Sequence, residues 1–142
     1  MIVPIGLNEQ AAEIIRLFPD NNSNTPNNEF STKPTISQVL WILGIRSKLK
    51  GFRYLRSAVE LALKEPESVD AITKWTYPSI AKKYHSTPAR VERSIRHAIL
   101  STESTTNEFR FNVFPWINNG DHHLTNKEFI SGVAEYLRCY DE

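Results

Sequence analysis

The sequence predicts an all-α protein, built as a compact helical bundle that contains a helix-turn-helix and follows a short N-terminal helix and linker. Apolar residues recur at intervals of three and four along most of the chain, which is the spacing of one helix face. Threonines and prolines stand where such helices would begin. The stretch YPSIAKKYHSTPARVERSIRHAI, residues 77–99, places two short helices around a tight turn.

Residues 1–34 are expected to form an N-terminal part outside the main domain. Apolar residues recur at helical spacing over 8–18, and Pro19 ends the pattern. The text DNNSNTPNNEFSTKP, residues 20–34, is almost wholly polar and indicates a flexible linker. The helix at 8–18 needs a surface to pack against, either its own core or a second copy of the chain.

The main domain, residues 35–142, is expected to begin with two amphipathic helices. Thr35 can cap a helix that carries Val39, Leu40, Ile42 and Leu43, and Gly44 suits a left-handed cap at its end. The second helix is expected over about Phe52 to Lys64, and Pro66 closes it. Its apolar stripe consists of Leu55, Ala58, Val59, Ala62 and Leu63. Residues 67–76 then form another short helical piece.

The basic stretch at 77–99 has the spacing of a helix-turn-helix. Pro78 suits the first turn of one helix, and Thr87 can cap a second helix that begins at Pro88. The small side chain of Ala81 allows the second helix to approach closely, and Val91, ten positions on, packs the pair together.

The second helix divides into an apolar and a basic face. Its buried stripe is expected to consist of Val91, Ile95, Ala98 and Ile99. Arg90, Arg93, Arg96 and His97 point away from that stripe, and Glu92 lies at the border. Guanidinium groups can reach guanine O6 and N7 in a major groove, and a carboxylate can accept from cytosine N4.

Four further side chains lie where a first helix and its turn would cross a phosphate backbone: Lys82, Lys83, Ser86 and Thr87. Residues 46–97 carry twelve basic and five acidic side chains, whereas both flanking segments are acidic. A solvated helix hairpin with scattered charges fits the periodicity equally well. The turn spacing and the block of charge favour double-stranded DNA as the partner.

Several motifs resemble the family of the C-terminal DNA-binding domain of stage zero sporulation protein A, the bacterial response regulator that initiates sporulation. They are KGFRYLRSAVELAL, AITKWTYPSIAKKY, RVERSIRHAI and LTNKEFISGVAEYLR, and the likeness covers roughly residues 35–139. The resemblance implies a bundle of about six helices that reads TGTCGAA-type boxes as tandem sites. It also implies Glu92, Arg93 and Arg96 as base readers with His97 beside them. By geometry, Lys82, Lys83, Thr87 and Arg90 would contact phosphates.

The sequence departs from this family in two places. Only about 34 residues precede the match, which is too few for the family's N-terminal receiver domain, so control by receiver phosphorylation is not expected. Residues 101–123 resemble the family poorly, which leaves a contact with RNA polymerase sigma factor open. Phe109, Phe111 and Val113 alternate as in a strand, while Phe109 and Val113 also fit one helical turn. The family favours a helix over 106–114, which we adopt, and NNGD at 118–121 indicates a turn.

Other functional classes find little support in the sequence. It lacks a membrane-spanning run, a signal peptide, a Walker loop, a nucleophile elbow and a Cys-x-x-Cys pair. We therefore expect an intracellular, nucleoid-associated protein that is not an enzyme and needs no cofactor or metal. Cys139 is expected to be half-buried. The alternative function is an interaction protein that binds a regulator or RNA polymerase through the N-terminal helix and the aromatic segment 109–116.

Overall fold

The computed structural model describes residues 33–103, 107–117 and 123–141. These residues form six α-helices and confirm the predicted all-α class. The helices are α1 (Ile36–Ile42), α2 (Lys50–Lys64), α3 (Tyr77–Lys83), α4 (Pro88–Leu100), α5 (Glu108–Val113) and α6 (Asn126–Arg138). The predictions for the N-terminal helix, most of the linker and the NNGD turn lie outside the described residues.

Helix α2 lies at the centre of the bundle and packs against α1, α3, α4 and α6. Leu55, Ala58, Val59 and Ala62 of its predicted stripe are completely buried, whereas Leu63 is only partly buried. Helix α6 supplies Phe129, Ile130, Val133, Tyr136 and Leu137 to the same core. These α6 side chains therefore stabilise the core of the domain.

The connection between α2 and α3 is less regular than the single helical piece expected at 67–76. It contains a 3₁₀ turn, Pro66–Ser68, and a π-helical turn, Ile72–Thr76. The hydroxyl of Thr76 donates to the carbonyl of Ser68 at 2.8 Å and ties the two turns together. A further 3₁₀ turn, Cys139–Asp141, follows α6, and Cys139 is half-buried as expected.

The capping signals at α1 are confirmed. The Thr35 hydroxyl accepts from the N–H of Gln38 at 3.1 Å, and Gln38 Oε1 accepts from the N–H of Thr35 at 2.8 Å. This reciprocal pair is a capping box, which contributes about 1 kcal/mol to helix stability. Gly44 has a φ of 100°, as its proposed place at a left-handed cap requires.

The segment that fitted either a strand or a helix forms α5. The Asn107 side chain caps this helix by accepting from the N–H of Arg110 at 2.9 Å, and it donates to the Ile42 carbonyl at 3.1 Å. Phe109 and Val113 are buried one helical turn apart. The helical alternative is therefore confirmed.

Arg110 of α5 is a charged residue that is buried, with 6% of its surface exposed. Its guanidinium donates to the hydroxyl of Thr102 at 3.1 Å and lies 5.9 Å from the centre of the Phe114 ring. Burial lowers the pKa of Arg110, while the carboxylate of Glu103 opposes this change. These contacts join α5 to the turn that follows α4.

Candidate nucleic-acid interface

Helices α3 and α4 form the predicted helix-turn-helix. The turn between them is closed by a left-handed residue, His85, with a φ of 54°, and by the Ser86 N–H, which donates to the Ala81 carbonyl at 2.8 Å. This hydrogen bond spans the end of α3 as in a Schellman motif. Thr87 then caps α4, since its hydroxyl accepts from the N–H of Arg90 at 3.2 Å. Ala81 and Val91, which were expected to set the spacing, are both buried.

The two faces of α4 lie as the sequence predicted. Val91, Ile95, Ala98 and Ile99 are at most 1% exposed. Arg90, Arg93, Arg96 and His97 are all exposed on the other side of the helix. Helix α4 therefore presents a basic surface while its apolar stripe is fixed in the core, which is the division that a base-reading helix requires.

Glu92 and Arg96 are one turn apart on α4 and form an ion pair. The Arg96 guanidinium donates to Glu92 Oε1 at 2.7 Å. Their side chains are 55% and 32% exposed, respectively, so the pair contributes little to stability. Its consequence is positional, because it places the charged groups of two predicted base readers next to each other.

Helix α2 holds α4 through a direct backbone contact. Gly51 lies at the crossing, where a Cβ atom would be 2.4 Å from the carbonyl oxygen of Ser94 and 2.7 Å from Cβ of Ala98. Only glycine allows the two backbones to approach this closely. The first turn of α2 is therefore beside the exposed face of α4.

Helix α6 holds α4 from another side. The Asn126 amide donates to the hydroxyl of Tyr77 at 2.9 Å and to the backbone carbonyl of Glu92 at 3.2 Å. Burial raises the pKa of Tyr77, and the hydrogen bond from Asn126 opposes this change. One side chain thus joins α6 to both helices of the helix-turn-helix.

The proposed phosphate contacts differ in how they are placed. Lys82 is exposed near the end of α3. Lys83 Nζ lies 3.4 Å from the Ser57 hydroxyl and 5.3 Å from the centre of the Tyr84 ring. Lys83 therefore contacts the α2 side of the hairpin, although its ammonium group remains at the surface.

Two basic residues that the sequence analysis did not select also lie beside α4. Lys50 and Arg53 of α2 form one wall of a cleft of about 400 Å³ that we call the basic cleft. The rest of its lining consists of Tyr54, Tyr84, His85, Ser86, Arg90, Arg93 and Ser94. In the sequence, Lys50 and Arg53 lie on either side of Gly51. This arrangement predicts their place beside α4 only when the α2–α4 crossing at Gly51 is known.

The described residues show no arrangement typical of metal binding or membrane insertion. They contain no group of three or more His, Cys, Asp or Glu side chains that could hold a metal ion. His123 contacts the Glu103 carboxylate through Nδ1 at 2.8 Å. No helix in the same ranges combines the length and apolar character needed to cross a bilayer.

A comparison with known protein families shows which family has this arrangement of helices. Residues 36–137 match the family model described as sporulation initiation factor Spo0A C terminal. The chain belongs to this family. The match runs from the first residue of α1 to the last turn of α6, so it includes the complete helix-turn-helix. The Spo0A C-terminal family comprises DNA-binding effector domains of sporulation regulators and is not a family of enzymes.

Proposed function

We propose that this chain is a transcriptional regulator that binds double-stranded DNA and reads TGTCGAA-type boxes through α4. The main support is the exposed basic face of α4, which lies opposite a stripe of almost completely buried residues. Contacts from Gly51 and Asn126 hold the helix from two sides. A rigid helix with several arginines on its outer face can enter a major groove without rearrangement. Such a regulator acts at the nucleoid, in the cytoplasm.

In this proposal Arg93 and Arg96 donate to guanine, Glu92 accepts from cytosine, and His97 lies beside them. Lys82, Lys83, Ser86, Thr87 and Arg90 contact phosphates and set the position of the helix on the duplex. Because one short recognition helix gives modest affinity, two copies are expected to occupy tandem boxes.

The proposal is tested by changing each base pair of one box in turn and measuring binding of the wild-type protein, Arg93→Ala and Arg96→Ala. Each variant should lose about 1–3 kcal/mol and become indifferent to one base pair. Lys33→Ala is a charge-matched control, because Lys33 lies outside the helix-turn-helix and its ammonium group is paired with the carboxylate of Asp141. If both arginine variants weaken all duplexes equally, the arginines supply charge without reading bases.

A second candidate is an interaction protein that binds a regulator or the RNA polymerase sigma factor without reading DNA. The exposure of Phe111 and Trp116, at 41% and 47%, favours it. Phe109 and Phe114 of the same segment are buried in the core and cannot contribute to such a surface. If the double variant Arg93→Ala, Arg96→Ala regulates normally in cells, this candidate replaces the first.

A further inference from the structure

The basic cleft joins two cations that were assigned above to DNA, Arg90 and Arg93, to two that were not, Lys50 and Arg53. Lys50 and Arg53 project from the first turn of α2, and Arg90 and Arg93 project from the first two turns of α4. The residues that line the cleft include no carboxylate. Four cations that share one cleft repel one another, so the cleft favours an anion.

The cations of the basic cleft differ from several other basic residues of the domain, which are paired with carboxylates. Arg96, Lys127 and Arg138 are each paired with a nearby carboxylate. Among the described residues, no carboxylate forms an ion pair with Lys50, Arg53, Arg90 or Arg93. No described carboxylate therefore neutralises the four cations that line the cleft.

Two aromatic side chains that line the cleft, Tyr54 and Tyr84, are in contact with each other. The rings of Tyr54 and Tyr84 lie 5.4 Å apart, centre to centre, and the Tyr84 hydroxyl is hydrogen-bonded to Ser57 at 2.8 Å. The α2–α4 crossing at Gly51 lies between Lys50 and Arg53 in the sequence and brings this turn of α2 against Ser94 of α4. The positions of Lys50 and Arg53 relative to α4 are thus set by packing.

We propose that the basic cleft binds a phosphodiester group of the DNA backbone beside the bases that α4 reads, with Lys50 and Arg53 as phosphate contacts from α2. This inference rests on the proposed function and extends its interface to a third helix. Arg93 lines the cleft and also belongs to the exposed face of α4. A backbone that leaves the groove beside α4 would therefore pass directly over the cleft.

The experiment measures binding of wild-type protein, Lys50→Ala, Arg53→Ala and the control Lys33→Ala by fluorescence anisotropy. Each protein is titrated with a duplex that carries tandem boxes and with a scrambled duplex, over a salt series. Removing one phosphate contact should reduce the slope of log K against log salt by about 0.9. The same slope corresponds to roughly fivefold weaker binding near physiological salt, for both duplexes alike.

Lys33→Ala should leave the slope and both affinities unchanged. All the substituted side chains are exposed, so thermal unfolding of each variant should match the wild type and exclude misfolding. The cleft proposal is overturned if Lys50→Ala and Arg53→Ala behave like the control, or if they weaken only the boxed duplex without a change of slope.

Two further outcomes distinguish the cleft proposal from base reading by α4 and from binding of a free anion. If the wild type shows no preference for the boxed duplex, sequence reading fails, while the salt slope on the scrambled duplex still decides the cleft. Titration with inorganic phosphate at constant ionic strength tests a free anion as the occupant. The assignment of the cleft to the DNA backbone would be overturned if inorganic phosphate binds saturably, if Lys50→Ala and Arg53→Ala both abolish this binding, and if neither variant changes the salt slope of DNA binding.

Discussion

Gly51 of α2 and Ser94 of α4 are in contact through their backbones. A Cβ atom on Gly51 would lie 2.4 Å from the carbonyl oxygen of Ser94, a separation that real Cβ atoms do not adopt. The obstructing atom belongs to a helix backbone and cannot rotate away as a side chain can. The orientation of α4 relative to α2 therefore depends on the absence of a side chain at position 51.

Gly51→Ala is predicted to lower stability by about 1–3 kcal/mol, because the added methyl group overpacks the crossing. Without this contact, alanine would stabilise the helix by about 1 kcal/mol relative to glycine. The sign of the change in the free energy of unfolding therefore tests the contact. Urea unfolding measures it, and DNA binding should weaken because α4 shifts. Gly132→Ala is the matched control, since its Cβ would meet the Phe114 ring at 2.5 Å, away from α4. A Gly51→Ala protein as stable as the wild type would contradict the prediction.

Glu92→Gln is predicted to change DNA recognition with almost no effect on stability. The pair with Arg96 is exposed, and such pairs contribute roughly 0.3–0.5 kcal/mol. Glutamine replaces the charged acceptor that Glu92 is proposed to offer to cytosine N4 with a weaker neutral one, so affinity for the boxed duplex should fall by about 1–3 kcal/mol. Binding to a scrambled duplex should rise slightly, because one negative charge is lost near the phosphates. An equal rise on both duplexes would mean that Glu92 only repels DNA.

Lys82→Ala and Lys83→Ala are predicted to differ, although both lysines end the same short helix. Lys82 is exposed, and its loss should weaken all sequences alike and reduce the salt slope by about 0.9. Lys83 contacts Ser57 and the Tyr84 ring, so its loss should reduce the slope less. Anisotropy over a salt series on one scrambled duplex compares them directly. A larger decrease of the salt slope for Lys83→Ala than for Lys82→Ala would contradict this prediction.

Asn126→Asp is predicted to destabilise the domain by about 1–3 kcal/mol, because the nearly isosteric carboxylate cannot donate to Tyr77 or to the Glu92 carbonyl. Thermal unfolding measures the loss. Tyr77→Phe removes only one of the two hydrogen bonds and should cost less. Equal stability of Asn126→Asp and the wild type would show that this contact does not hold α4.

The helix-turn-helix could be predicted from the sequence because its signals are local. Pro78, Thr87 and Pro88 mark helix starts, and the stripe from Val91 to Ile99 follows helical spacing within α4. These features depend on neighbours within one or two turns of the chain. The faces of α4 and the cap at Thr87 were accordingly confirmed.

The remaining features depend on contacts between distant parts of the chain. Strand and helix were equally compatible with residues 109–113, and the helix is anchored by a hydrogen bond from Asn107 to Ile42, 65 residues away. Lys50 and Arg53 are about 40 positions from Arg90 and Arg93 in sequence, and they share a cleft only because α2 crosses α4 at Gly51. Periodicity in a single sequence contains no information on such crossings.

The most direct test of the account is fluorescence anisotropy of the wild-type protein on a duplex with two tandem TGTCGAA-type boxes and on a scrambled duplex, across a salt series. We predict that the boxed duplex binds at least about a hundredfold more tightly and keeps this preference as salt rises. Equal, weak binding to both duplexes that disappears with salt would contradict base reading by α4.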